Sequence, residues 1–600
     1  MTSSRKQPYG HGLPPAFSSM WRLCKLGYRY EPGLMAWSFS LALLSALPDA
    51  LLALWFKLMA DGVVAHDATR VTFAAVALGV SAAGTWFLRT VSTRVQRRFR
   101  DKVTIALESH VARLQATIAT IAHQERPEYL DRLAMLRDQV FVLDHMYMSV
   151  FSTAGWILRL GVTIALLMSI HPALALLLLF ALPAVLTSTW RPAVERTAQE
   201  RAMPFNRLAR HLFTLATTAP PGKEVRVTGI GERLIHDRRS AWQFGHDPIA
   251  AVRWSSMTWH ALAWAIFGVG YVGSVVFVSA GLRASAGSVL LVLAAGARLS
   301  SYIGATVGEL GFLRGFWVYG ARRLAWLEDY AASLTAAADQ PAPSRLTRGI
   351  HFDHVSFSYP GVDKLALDDV TLDLPAGKVV AIVGENGAGK STLVKLLAKM
   401  YEPTSGRILI DDTDLSRISA DAWRTKLAGA FQDFFRFELP ARHSVGVGDV
   451  ARLDDEAAVT TAVGRAGADD VVARLGGGLD TQLGPTWPGG VEVSFGQWQK
   501  LALARAFMRD GPLVLVLDEP TAALDAETEH ALFERYAAAA RAPDGRITVL
   551  ISHRFSTVRM ADLIVVLDGA HVVEAGSHED LMARHGQYSE LYDIQAAAYR

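Results

Sequence analysis

The sequence predicts an α-helical membrane domain of about six spans followed by a soluble α/β domain. Three observations carry that prediction. Apolar residues are in excess, long apolar runs are confined to the first half, and the second half alternates short β-branched runs with amphipathic stretches. Of 600 residues, 51% are hydrophobic and only 20% are charged. Apolar surface in that proportion must face a core or lipid. The net charge of +3 provides no global basic field of the kind nucleic-acid binders carry, so no nucleic acid is expected as a partner. Cys24 is the sole cysteine, which excludes an intrachain disulfide or a cysteine metal cluster and suits a reducing cytoplasm. It reads as an incidental small apolar residue. Residues 1–34 are expected to form a polar, basic tail without a cleavable signal pattern, ending in an amphipathic elbow helix around Phe17–Leu23 on the inner leaflet.

Residues 35–330 contain six apolar runs, at 35–60, 71–93, 148–169, 172–190, 259–281 and 285–315. Each reaches the roughly 20 residues that a helix needs to cross about 30 Å of hydrocarbon. Only His171-Pro172 separates the third from the fourth, which predicts a tight turn. Lys and Arg crowd segments 94–147 and 191–258 and are nearly missing from loops 61–70, 170–172 and 282–284. Both termini and both long connections are therefore expected in the cytoplasm. The connections are helix-friendly and read as extensions of the spans.

Residues 331–349 are Ala-, Pro- and Ser-rich and read as a linker. Residues 350–590 read as the α/β domain and 591–600 as a tail. Within that domain, Gly384-Glu385-Asn386-Gly387-Ala388-Gly389-Lys390-Ser391-Thr392 follows the strand-like Val379–Val383 and precedes the helix-like Leu393–Met400. This is the context of a phosphate-binding P-loop. Its glycines let backbone N–H groups close around phosphates, and the helix start adds a favourable dipole. Lys390 is expected on the β/γ-phosphates and Ser391 on Mg²⁺. The apolar run Leu513–Leu517 ends in Asp518 and Glu519. Asp518 suits Mg²⁺, and Glu519 lies where a carboxylate can polarise the attacking water.

Further pieces follow in order: Tyr359 in Phe357-Ser358-Tyr359-Pro360, Gln432, Val493-Ser494-Phe495-Gly496-Gln497, Ala522-Ala523-Leu524-Asp525 and His553. With the P-loop, this set resembles a half-transporter of the exporter-type ABC family over roughly residues 15–590. The resemblance implies that adenine stacks on Tyr359 and that Ser494, Gly496, Gln497 and Asp525 contact ATP across a dimer. It also implies that Gln432 and His553 serve catalysis, with Gln432 among the Mg²⁺ ligands. In the membrane half, Pro127-Glu128-Tyr129-Leu130-Asp131 and Gly222-Lys223-Glu224-Val225-Arg226 are similar to stretches near the family's coupling helices.

A second half-transporter chain is implied as partner, a copy of this chain being favoured over a different one. Each ATP is then clamped between one chain's P-loop and the other's signature. Phe495 departs from the family's glycine at that place. A residue forced there into a left-handed conformation would cost roughly 1–2 kcal/mol, and a ring would crowd backbone meant for phosphate. Asp49, Lys57, Arg159, Arg298 and Glu309 are costly in lipid and are expected to face water, an interface or one another. Trp254, Trp259 and Trp264 are expected as interface anchors. The expected function is ATP-driven export of an amphipathic small molecule or peptide. Lipid flipping and siderophore import are alternatives on the same fold. A soluble DNA-repair or translation ATPase is disfavoured by the spans, and a silent sensor by the intact acids. The abundance of Arg over Lys and of Ala points to a bacterial inner membrane.

Overall fold

A computed structural model describes residues 13–598, apart from 127–128, 131–132, 134–135, 137–139, 314–317, 335–337, 520–544 and 553. The chain divides into two compact units. The first comprises residues 1–116 and 132–330; the second comprises 331–600 together with the inserted segment 117–131.

The first unit is helical. Helix α1 (Ala16–Tyr30) buries Ser19, Leu23 and Gly27 at a four-residue spacing and exposes Phe17 and Trp21, as an amphipathic helix does. Helices α2 (Pro32–Leu44) and α3 (Leu47–Val64) form one span broken at Ser45–Ala46. Pro48 accounts for the break, because its ring displaces the preceding turn and its nitrogen has no hydrogen to donate. Five further helices follow: α4 (Ala68–Thr117), α5 (Val140–Met168), α6 (Leu177–Thr217), α8 (Gly231–Val276) and α9 (Ala286–Phe312), with the short α7 (Gly222–Thr228) between α6 and α8. Among the described residues, six stretches are long and apolar enough to cross a membrane, so this is a membrane protein with the number of spans the sequence predicts. At 50 residues α4 is about 75 Å long, well over twice a hydrocarbon thickness. The long connections are thus helical extensions, as expected.

The turn after α5 is tight. Pro172–Leu176 form a 3₁₀ turn whose Ala173 N–H donates to His171 Nδ1 at 3.1 Å. Phe267, Leu291, Leu299, Leu167 and Leu174 form the buried centre of the bundle. Small residues permit close helix approach there: Gly270 lies against the Phe180 ring, where a side chain would collide. The unit ends at Tyr330, within helix α10 (Val318–Leu334).

Among the described residues, the second unit has two sheets. Strands β1 (Gly349–Ser358), β2 (Leu365–Pro375), β4 (Ser405–Ile410) and β5 (Thr413–Asp414) form an antiparallel sheet in the order β2-β1-β4-β5. Strands β3 (Val379–Gly384), β6 (Leu427–Ala430), β7 (Val514–Asp518), β8 (Ile547–Ile551), β9 (Leu563–Asp568) and β10 (His571–Gly576) form the other, in the order β10-β9-β3-β8-β7-β6. Its β9-β3-β8-β7-β6 portion is parallel. Every residue of β8 and Val379–Val383 of β3 are buried, which explains why these runs are apolar throughout rather than alternating.

The 117–131 segment is seated on this unit. Ile121 N–H donates to Met400 O at 2.9 Å, Arg424 reaches Ala119 O at 2.5 Å, and the Tyr401 hydroxyl bonds the Glu125 carboxylate. Ile121 and Ala122 add to the core that holds Trp423 and Tyr401. Pro127, Glu128 and Asp131 of the similar stretch lie outside the described residues, whereas Tyr129 is fully buried.

Candidate active site

The parallel sheet converges on one edge. β3 ends at Gly384, and α11 (Lys390–Leu397) begins after the glycine loop. Gly384 (φ +147°) and Gly389 (φ +105°) hold backbone conformations that L side chains rarely adopt. A Cβ on Gly384 would strike the Leu567 carbonyl, and one on Gly389 the Ala366 carbonyl. Glycine is therefore required at both places for the loop to turn back over the strand. The Lys390 ammonium donates to Gly384 O at 2.7 Å and Glu385 O at 2.8 Å, which stretches it across the loop. Burial lowers its pKa, and Glu519 and Asp518 oppose that shift.

β7 runs beside β8 and delivers Asp518 and Glu519 to the same edge. Burial pushes the Asp518 carboxyl up to about 6; a hydrogen bond from Ser391 pulls it down, while Glu519 and Asp433 raise it further. Ser391 of the P-loop and Asp518 thus meet at this edge. Glu519 takes a left-handed backbone (φ +48°) although it is not glycine. Such strain concentrates at active sites. Gln432 Nε2 donates to Glu519 Oε2 at 2.9 Å, so Gln432 joins the acids at the site. Sequence reasoning missed Gln499, whose side chain donates to Glu519 O at 3.2 Å from α12 (Phe495–Ala506) and helps hold the strained peptide. It missed Asp433 as well, whose only sequence signal was adjacency to Gln432.

Tyr359 stands beside the P-loop helix. Its hydroxyl lies 3.0 Å from Thr392 Oγ1, its ring packs edge-on against Phe357 and Tyr401, and the Lys395 ammonium sits 5.5 Å from its ring centre. Ser494 caps α12. Gln497 N–H donates to Ser494 Oγ at 3.3 Å, and Ser494 N–H donates to Gln497 Oε1 at 2.8 Å, a reciprocal capping box. Gly496 occupies the first turn. His553 and Asp525 lie outside the described residues.

Phe495 corrects an expectation. It is the first helical residue of α12 and has no left-handed backbone, so the expected strain is not there. The capping box places the left-handed requirement nowhere in this segment. The ring points outward, 57% exposed, tilted against Phe434 at 5.4 Å with the Arg436 guanidinium 5.7 Å from its centre.

A strand, a glycine loop, a helix start and a buried acid pair at one sheet edge define a P-loop nucleotide-binding domain. Residues 367–522 match the ABC transporter family model, which makes this unit an ABC ATP-binding cassette. The chain joins it to six stretches, among the described residues, that are long and apolar enough to cross a membrane. Among similar proteins, an ATP-dependent lipid A-core flippase of Ralstonia nicotianae is 42% identical over 250 residues, 41% of each chain. The Beta-(1-->2)glucan export ATP-binding/permease protein NdvA of Brucella suis is 37% identical over 291 residues, 48% of this chain and 47% of that protein. The chain thus spans less than half the length of the curated relatives it matches. A bacterial Atm1-family ABC exporter with ATP bound has the same fold, with a TM-score of 0.72 and 24% identity, covering 94% of this chain and 99% of that one.

Proposed function

We propose that this chain is one half of an ATP-driven exporter in a bacterial inner membrane, working by alternating access on an amphipathic molecule. The observation that carries this reading is the convergence of Lys390, Ser391, Gln432, Asp518 and Glu519 in a cassette covalently joined to six spans. In this mechanism the P-loop N–H groups and Lys390 cradle the β- and γ-phosphates of ATP. Tyr359 is the platform offered to adenine. Glu519 orients the attacking water and accepts its proton, and Gln432 fixes that carboxylate. The hydroxyl, carboxylate and amide oxygens of Ser391, Asp518 and Gln432 are hard ligands that suit Mg²⁺, which neutralises phosphate charge when bound.

Ser494, Gly496 and Gln497 serve the ATP of a second chain, a copy of this one in the first instance. Asp525 and His553 complete that site in the proposal. ATP then joins the two cassettes and hydrolysis releases them. The 117–131 segment, anchored on Met400, Tyr401 and Arg424, converts that release into movement of the helices it connects. The flippase named among the similar proteins supports a lipid-like cargo as a second reading.

The test is ATP-dependent movement of tail-labelled amphiphiles across liposomes containing the purified chain, beside the same chain with Glu519→Gln. Movement away from the cassette side that stops with Glu519→Gln is expected. Accumulation on the cassette side, or movement indifferent to the substitution, would sink the reading.

A further inference from the structure

The bundle carries charge where lipid-facing helices cannot. Asp49 lies inside the span Pro32–Val64, Arg159 inside Leu143–Met168 and Arg298 inside Ala286–Phe312. Arg298 donates to the Asp49 carboxylate and, at 3.1 Å, to Asp49 O, while the Tyr302 hydroxyl donates to Asp49 Oδ2 at 2.8 Å. Arg159 also faces that carboxylate, with its Nε 3.4 Å from Asp49 Oδ2, while its Nη2 donates a long hydrogen bond to Ser45 O at 3.4 Å. One acid therefore serves two guanidiniums. Arg298 hydrogen-bonds it directly, and Arg159 shares it at longer range. Its side chain is only 16% exposed, and its guanidinium rests 4.6 Å from the Trp156 ring centre.

Arg159 opens onto a cavity of about 270 Å³ that Arg89, Gln96, Thr93 and Ser152 also line. This cavity shares Arg89 and Thr93 with a second one of about 560 Å³, along which α4 presents Arg94 and Arg97. Residues 85, 89, 93 and 97 recur at four-residue spacing, so they form one polar stripe on α4. Asp49 is the one carboxylate among the residues lining the two cavities, against Arg89, Arg94, Arg97 and Arg159. Cations in excess of carboxylates at membrane depth are costly and mark ligand pathways. Guanidiniums in particular suit the planar, multidentate binding of phosphate or carboxylate.

We propose that this cavity binds the acidic head of an anionic amphiphile, its phosphate or carboxylate held by Arg159 and Arg89 above Trp156. Arg94 and Arg97 draw the head in along α4. Asp49 holds Arg298 and orients Arg159. This deepens the transport reading and rests on it for the ligand's role as cargo, but not for binding itself.

The test is native mass spectrometry of the full chain in a neutral detergent, without nucleotide. The probes are lysophosphatidic acid and tail-matched lysophosphatidylcholine, with inorganic phosphate as competitor. The acid is expected to bind at least tenfold more tightly than the choline ester. Arg89→Gln, on an exposed position, should weaken it on the order of tenfold, one charge-assisted contact, whereas Arg89→Lys should retain most of it. Asp49→Asn, which removes the competing carboxylate, should tighten binding. These opposite signs separate recognition from misfolding. Displacement by millimolar phosphate would support the site and assign it to a soluble acid; resistance would support it and assign it to a lipid. Equal binding of the two lipids, or indifference to Arg89→Gln, overturns the proposal. Selective binding combined with no ATP-driven movement would overturn the transport reading alone.

Discussion

The two units hold their charged groups in opposite ways. In the cassette, the reactive groups are placed by local backbone: Lys390 follows a glycine turn, Asp518 and Glu519 end a strand, and Ser494 caps a helix. In the membrane unit they are placed by partners far away in sequence, as Asp49 is by Arg298, 249 residues on. Local placement makes chemistry robust to changes elsewhere. Distant placement makes it dependent on how the helices pack.

The sharpest way to break the cassette side of that contrast is Glu519→Gln. The amide keeps the size and the hydrogen-bonding reach of the side chain but cannot take a proton. ATP turnover should fall by about 10²–10⁴, the usual contribution of a general base, while thermal stability stays within a degree or two. Steady-state ATPase measurement and a melting curve on the same preparation check both halves. A tenfold loss or less would show that Glu519 is not the base.

On the membrane side, Asp49→Ala should act on stability instead. It removes the carboxylate that Arg298 and Arg159 share; the pair is only partly buried, so the loss is about 1–3 kcal/mol, the cost of charged hydrogen bonds left unmade. Thermal denaturation in detergent should register the loss, and adding Arg298→Met should restore part of it. If the double substitution is no better than the single one, the pair is not the unit of placement.

That contrast also governs what the sequence disclosed. The P-loop and the acid pair were legible because each is a short pattern tied to one backbone geometry, whereas the helix cap at Ser494 was not read from the sequence. The six spans were legible because length and hydropathy decide them. Asp49, Arg159 and Arg298 were recognisable singly as costly residues, but nothing in the sequence states which two of the three share a bond. The seat of residues 117–131 on Tyr401 and Arg424 was hidden for the same reason, since the contact joins positions 276 and 305 residues apart. The left-handed peptide at Glu519 was hidden for another. No glycine marks it, and the strain is held by the Gln499 contact and by Glu519 N–H donating to Ile551 O at 3.0 Å.

A smaller effect distinguishes the acids within the cassette. Asp518 has a folded pKa raised to about 6, above the ordinary carboxylate value, so the native state holds its proton more tightly than the unfolded chain does. Stability from this group is therefore present at low pH and lost as pH rises through about 6. Asp518→Asn removes that loss. The nucleotide-free variant should melt a few degrees higher than the parent at pH 8 and level with it at pH 5, while its ATP turnover is abolished. Equal shifts at both pH values would mean that burial does not set the Asp518 proton.

Phe495→Gly is expected to do least, and its sign is informative. If the residue were held in a left-handed backbone, glycine would relieve roughly 1–2 kcal/mol of strain. The structure has it helical, at the first position of α12 behind the Ser494 cap, with its ring lying on Phe434. Glycine there gains no strain relief, loses the ring contact, and carries a helix cost of up to about 1 kcal/mol. Stability should fall slightly. ATP turnover should change less than threefold, because the Ser494–Gln497 box survives the substitution. A stabilised variant would put the strain back. A rise in turnover of tenfold or more would mean that the outward ring, 57% exposed, throttles the engine by a route other than its own backbone.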